Sequence, residues 1–137
     1  METKELQHLK AIGSIDYYLR ADQIIYAEFD ESASAKDLTV DDINVGLHLL
    51  EEQSKIQGRP LLVLINLHKV PPLSIEVRKH LRSKDVSQFR KNSKATALII
   101  PNSFSRLFGN LVLTLVAGQT MKLFANEEDA VNWLNNH

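Results

Sequence analysis

Asn102, Ser103, Ser105 and Arg106 stand together where an apolar run ending in Ile99-Ile100 breaks at Pro101 and a helix-forming stretch begins. An amide, two hydroxyls, a guanidinium and the free N–H groups of a first helical turn are all donors. That spacing suits an anion such as a phosphate or a carboxylate. The stretch behind it, Leu107 to Ala117, is apolar nearly all round, and Phe108, Leu111, Val112 and Leu115 lie in it. A helix of that kind needs more than one apolar partner surface. His68 follows a second apolar run, at a strand end of the type that borders ligand crevices in α/β proteins. Each residue also has a plainer use: Ser103 as a cap, Arg106 in an ion pair, His68 as a structural side chain.

Other chemistries find little footing. The chain has no cysteine, which excludes a disulfide framework, a thiolate nucleophile and cysteine-ligated zinc or iron–sulfur. His8, His48, His68, His80 and His137 are scattered without the spacing that would converge on a metal. His48 and His80 fall on polar helices and are expected at the surface. No Gly-x-Ser-x-Gly elbow and no glycine-rich phosphate loop occurs. The expectation is therefore no catalytic residue, no metal, no cofactor and no enzymatic activity.

A length of 137 residues with ordinary apolar and charged fractions fits a single domain, 1–137, with its own core. Residues 1–14 read as a loosely attached N-terminal segment. No signal peptide is evident, and the most apolar stretch is too short to span a bilayer, so a cytoplasmic protein with no stable membrane insertion is expected. Charge is unevenly spread: residues 1–58 balance at −7, residues 59–124 at +9, and the tail at −3. The basic excess gathers in Arg78, Lys79, Arg82, Lys84, Arg90, Lys91 and Lys94. No aromatics are interleaved with it for base stacking, so a solvated helix face is favoured over a nucleic-acid surface.

These residues need a scaffold, and the chain supplies one. Ile15–Arg20 and Gln23–Phe29 are rich in β-formers about the Ala21-Asp22 step, a hairpin. Thr39-Val40-Asp41-Asp42 is a capping-box start; Val40, Ile43, Leu47 and Leu50 follow at helical spacing, and Gly58-Arg59-Pro60 ends the helix. Leu61–Leu67 and Ala95–Ile100 are apolar enough for strands covered on both faces. Between them Ser74 caps a helix carrying Val77 and Leu81, extending towards Phe89. A helix over Phe104–Ala117, a strand over Met121–Phe124 and a last helix capped by Asn126-Glu127-Glu128-Asp129 complete the order β-β-α-β-α-β-α-β-α. Helices between buried strands predict a mainly parallel α/β sheet with an antiparallel N-terminal hairpin.

The element order, Gln23-Ile24-Ile25-Tyr26-Ala27-Glu28-Phe29, the Leu62–Asn66 strand, Ser105-Arg106-Leu107-Phe108-Gly109-Asn110 and the closing Lys122–Leu134 segment carry a likeness. From about Ile15 onward the chain resembles small uncharacterised bacterial proteins of the SpoIIAA-like fold, shared by STAS domains and, more distantly, CRAL-TRIO proteins. The resemblance implies that fold and a non-enzymatic role. It departs from the phosphorylated anti-sigma-factor antagonists, whose third strand typically ends in Asp before a Ser–Ser/Thr-Gly step. Here Asn66-Leu67-His68 ends the strand, and Ser74 is the one hydroxyl near the right place. Capping explains Ser74 without a phosphate.

Two readings result. The first is an interaction or regulatory module acting as a homodimer through Phe108, Leu111, Val112 and Leu115, each contributing on the order of 1.5–3 kcal/mol if buried. The second is a binder of a small apolar or anionic, acyl-like ligand, with Asn102, Ser103, Ser105, Arg106 and His68 at the head group.

Overall fold

The two strongly apolar runs lie side by side in the middle of one six-stranded sheet. The computed structural model describes residues 6–13, 15–29, 38–67, 74–100 and 120–137. The strands are β1 (Leu6–Ile12), β2 (Ile15–Arg20), β3 (Ile25–Phe29), β4 (Leu61–Asn66), β5 (Ser93–Ile99) and β6 (Met121–Phe124). Their order in the sheet is their order in the chain. Each of β1–β2 and β2–β3 is an antiparallel pair, and β3 to β6 run parallel. Among the described residues the helices are α1 (Val40–Gln57), α2 (Ile75–Leu81), α3 (Lys84–Ser87) and α4 (Glu127–Asn135). The expected α/β architecture with an antiparallel N-terminal hairpin is thus present. The expected helix over Phe104–Ala117 lies outside the described residues.

Local chemistry sets the helix ends. Thr39 and Asp42 form a reciprocal capping box, and Gly58 closes α1 in the left-handed conformation. The Asn126 side chain accepts from the Asp129 N–H at 2.9 Å to start α4.

Three expectations need correction. Residues 6–12 are not a loose tail: they form the edge strand β1, laddered to β2 through a bulge at His8–Lys10. Of its side chains only Ile12 is buried and Leu9 packs in part on the Ile25, Leu61 and Val63 cluster, so main-chain hydrogen bonds supply much of what holds it. The hairpin between β2 and β3 turns through Ala21-Asp22-Gln23, with Gln23 in the left-handed region at φ 72°. That three-residue loop delays β3 to Ile25. The helix opened by Ser74 stops at Leu81 instead of reaching Phe89. Ser83 breaks it, donating to the His80 carbonyl at 2.6 Å and capping α3, after which Arg90–Asn92 form a 3-10 turn into β5.

Alternation along the strands separates two faces. One carries Ile25, Leu61 and Val63, packed with Tyr17, Leu19 and Leu50 of α1, and next to them Ile15, Ala27 and Phe29. Val77 extends this side by packing α2 on Val40 and Ile43. The opposite face carries Leu64, Ala95, Ala97 and Ile99 beneath Ala130 and Leu134 of α4. The main packing of α4 is on β4, β5 and β6. The same cluster takes in Ile24 and Tyr26 of the antiparallel half, with Tyr18 packed against it.

Candidate functional site

On β2 and β3 the residues that alternate away from α1 are Asp16, Tyr18 and Arg20, facing Tyr26 and Glu28. The ladder pairs Asp16 directly with Glu28 and Tyr18 directly with Tyr26. His8 of β1 stands opposite Tyr18. Its ring meets the Tyr18 ring edge-on at 5.2 Å between centroids, and its Nε2 lies 3.1 Å from Asp16 Oδ1. The two tyrosine rings are tilted at 35° with centroids 6.1 Å apart. Tyr26 donates its hydroxyl hydrogen to Glu28 Oε2 at 3.0 Å and accepts from Asn66 Nδ2 at 3.3 Å. Burial, reinforced by the charge of Glu28, outweighs the Asn66 hydrogen bond and pushes the Tyr26 phenol up to about 12. Tyr26 is therefore a proton donor throughout the neutral range.

At the hairpin end of the same face Arg20 is only 8% exposed. Its Nε and Nη2 donate to the two oxygens of Asp22 at 3.1 and 3.2 Å, and its Nη1 donates to Glu127 Oε2 at 3.0 Å. A bidentate carboxylate and a second acid offset the desolvation of the guanidinium and tie the hairpin to the first turn of α4. Three hollows meet at Arg20. The smallest, about 130 Å³, is lined by Leu6, Arg20, Tyr26, Glu28 and Glu127. The others, about 440 and 660 Å³, open towards Gln7 and Gln23 and towards Glu128 and Asn132. The chemistry on offer is carboxylate and phenol around a guanidinium already taken by two acids.

The residues singled out from the sequence fall elsewhere. His68, Asn102, Ser103, Ser105, Arg106, Phe108, Leu111, Val112 and Leu115 lie outside the described residues. The strands that lead to them are adjacent: β4 and β5 end together, with the Leu67 N–H bonded to the Ile99 carbonyl at 2.9 Å. Ser74 is described, and its Oγ accepts from the Val77 N–H at 3.0 Å as the α2 cap. His48 is on the surface of α1, against the Phe89 ring at 5.2 Å. His80 departs from expectation: it is half-buried, its Nε2 2.6 Å from Asn44 Oδ1, because α2 packs on α1 there. Among the described residues no group of three or more His, Asp or Glu could hold a metal ion, and no helix is long and apolar enough to cross a membrane.

Residues 17–137 match the family described as Domain of unknown function (DUF7793). The chain belongs to this family. No curated protein matches this DUF7793 chain. Among solved structures it is similar to an uncharacterised protein of the DUF3478 family with a SpoIIAA-like fold from Shewanella loihica PV-4. The likeness has a TM-score of 0.60 at 18% identity and covers 98% of each chain. At that identity it establishes a shared fold, the SpoIIAA-like one, and the expected fold resemblance is met. The Asp16–Tyr18–Tyr26–Glu28 face of the DUF7793 domain was not singled out from sequence, where only Tyr18 and Tyr26 counted, as β-formers. The signal was available in period-2 spacing, since Asp16, Tyr18 and Arg20 share one side of a strand.

Proposed function

We propose that this chain is a non-enzymatic interaction module whose working surface is the antiparallel half of the α4-side face. One observation carries the reading. On that half Asp16, Tyr18 and Glu28 stay half-buried around the buried Tyr26, Glu28 accepting from the Tyr26 hydroxyl and Asp16 lying against His8, where the rest of the same face is apolar beneath α4. Side chains so ordered and left partly exposed suit recognition better than core packing. Among the described residues no histidine hydrogen-bonds a serine or threonine hydroxyl, the pairing a hydrolytic nucleophile would use. The homodimer belongs to the same proposal, resting on the apolar spacing of Phe108, Leu111, Val112 and Leu115.

Sedimentation velocity and affinity purification of the full chain from native cells test this together. A dimer that dissociates in a Leu111→Asp, Leu115→Asp variant, or a partner lost on Tyr18→Ala and kept on Ile56→Ser in α1, supports the module. A monomer that brings down the same proteins whichever face is altered overturns it.

A second reading has its own support. Because β4 and β5 end side by side, His68 and the Asn102–Arg106 donors continue from neighbouring carboxyl ends of parallel strands, the edge at which α/β sheets place ligands. Native mass spectrometry showing an acyl or phosphate adduct that vanishes in Arg106→Met would favour a small-ligand binder over the module.

A further inference from the structure

Residues 74–94, which cross from β4 to β5 through α2, α3 and the 3-10 turn, carry seven Lys or Arg against two acids, Glu76 and Asp85. Ser74 caps α2 and Ser83 stops it, so α2 is a short rod with two sides. Val77, 1% exposed, marks the inner side, packed with Leu81 on Val40 and Ile43 of α1. Ile75, Arg78, Lys79 and Arg82 recur at i, i+3, i+4 and i+7 and share the outer side, all of them exposed. Ile75 is 68% exposed, a large apolar side chain set among cations and contributing little to the core.

Beyond α2 the exposed cations continue in Lys84, Arg90, Lys91 and Lys94. These four, with Lys79 and Arg82, form no ion pair among the described residues. Like charges gathered without counter-acids repel one another, and an external anion relieves that repulsion. A nucleic acid would take the charges but leave Ile75 unused, and the Phe89 ring is held against His48 rather than offered for stacking. An acidic peptide is best seated in a groove, whereas the hollows described above gather at Arg20, away from this crossover. An anionic lipid surface uses both features: headgroups neutralise the cations, and an isoleucine enters the acyl boundary.

We infer that the outer side of the β4–β5 crossover docks on an anionic phospholipid surface, with Ile75 inserted and Arg78, Lys79 and Arg82 among the headgroups. One isoleucine and a set of cations hold the chain on such a surface rather than across it, so the association is reversible and salt dependent. It stands apart from the module reading, because α2 packs on the α1 side of the sheet and Tyr18 lies on the other.

The test is flotation of the full chain with two kinds of vesicle: phosphatidylcholine alone, and phosphatidylcholine with phosphatidylserine at about three to one. Binding to the mixed vesicles is expected, well above that to the neutral ones. It should fall at least about tenfold between about 0.05 and 0.5 M salt. Lys79→Glu, Arg82→Glu, Lys91→Glu should also lose at least about tenfold. Ile75→Ser should lose severalfold while keeping the salt dependence, and Tyr18→Ala should bind as the parent does. All the α2 and 3-10 turn positions altered are exposed, and an unchanged thermal midpoint shows each variant folded. No binding, equal binding to both vesicles, or binding undiminished by the charge reversal or by Ile75→Ser overturns the inference. Polyglutamate and duplex DNA are titrated separately as the other anions. Tighter binding of either than of the mixed vesicles gives the surface to an acidic protein or a nucleic acid and overturns the lipid assignment.

Discussion

Tyr17 and Tyr18 are neighbours on β2, yet the sheet puts them in opposite worlds. Tyr17 points at α1, where Gly46 makes room for it: a Cβ on Gly46 would lie 2.5 Å from the phenol oxygen. Tyr18 points to the other side, against His8 and Tyr26 and within the field of Asp16 and Glu28. One residue along the chain thus separates a side chain packed under a helix from one that lies against His8 and Tyr26 on the other face. Burial stabilises where it is complete, and chemistry stays available where it is not.

If that contrast is right, the covered sites should dominate stability. Leu64 is fully buried beneath α4, and Leu64→Ala should cost about 2–5 kcal/mol. Tyr18→Ala should cost about 1 kcal/mol or less. Chemical denaturation measures both, and a Tyr18 variant as damaged as the Leu64 one would erase the distinction between the two surfaces.

The pH profile sharpens it next. Burial first, and the charge of Asp42 second, push the Tyr17 phenol up to about 12 from its ordinary 10. The unfolded chain loses this proton near pH 10 while the folded chain holds it, so the folded state binds more protons in between. The contribution is intact below pH 10 and declines as pH rises towards 12, by roughly 3 kcal/mol for a full two-unit shift. Tyr17→Phe should flatten that part of the stability curve.

Gly46 offers a smaller effect. Gly46→Ala gains helix propensity but forces the phenol aside, for a net loss of about 1–3 kcal/mol. Adding Tyr17→Phe should recover most of it, because the oxygen is the clashing atom. Absence of rescue would place the fault in the helix itself.

The smallest change has the opposite sign. Glu28→Gln removes one of two facing carboxylates and should raise stability by about 0.2–0.5 kcal/mol, more at low salt than at high. A loss above about 1 kcal/mol would instead make the Tyr26–Glu28 hydrogen bond structural.

Much of the scaffold was legible because its signals are local. Thr39 with Asp42, Ser74 and Asn126 cap their helices as their side chains dictate, and Gly58 ends α1 because it adopts the left-handed conformation at φ 72°. The edge strand β1 escaped notice because a ladder of main-chain bonds leaves no apolar period to read, and Leu6 within it is 43% exposed. The Ser83 break escaped because the same hydroxyl is tolerable inside a helix and decisive only with its extended backbone.

For the site, the residue types alone settled that Asp16, Tyr18 and Arg20 share one side of β2, since side chains alternate with period two. They also settled which runs are apolar enough to be central strands. Only the assembled sheet decided that Asp16 meets Glu28 and Tyr18 meets Tyr26, because register follows from the turn at Ala21–Gln23. It also decided that α4 packs on the parallel strands and leaves the antiparallel ones half bare. That choice depends on where a helix distant in sequence finds its largest apolar surface, a quantity no single strand contains.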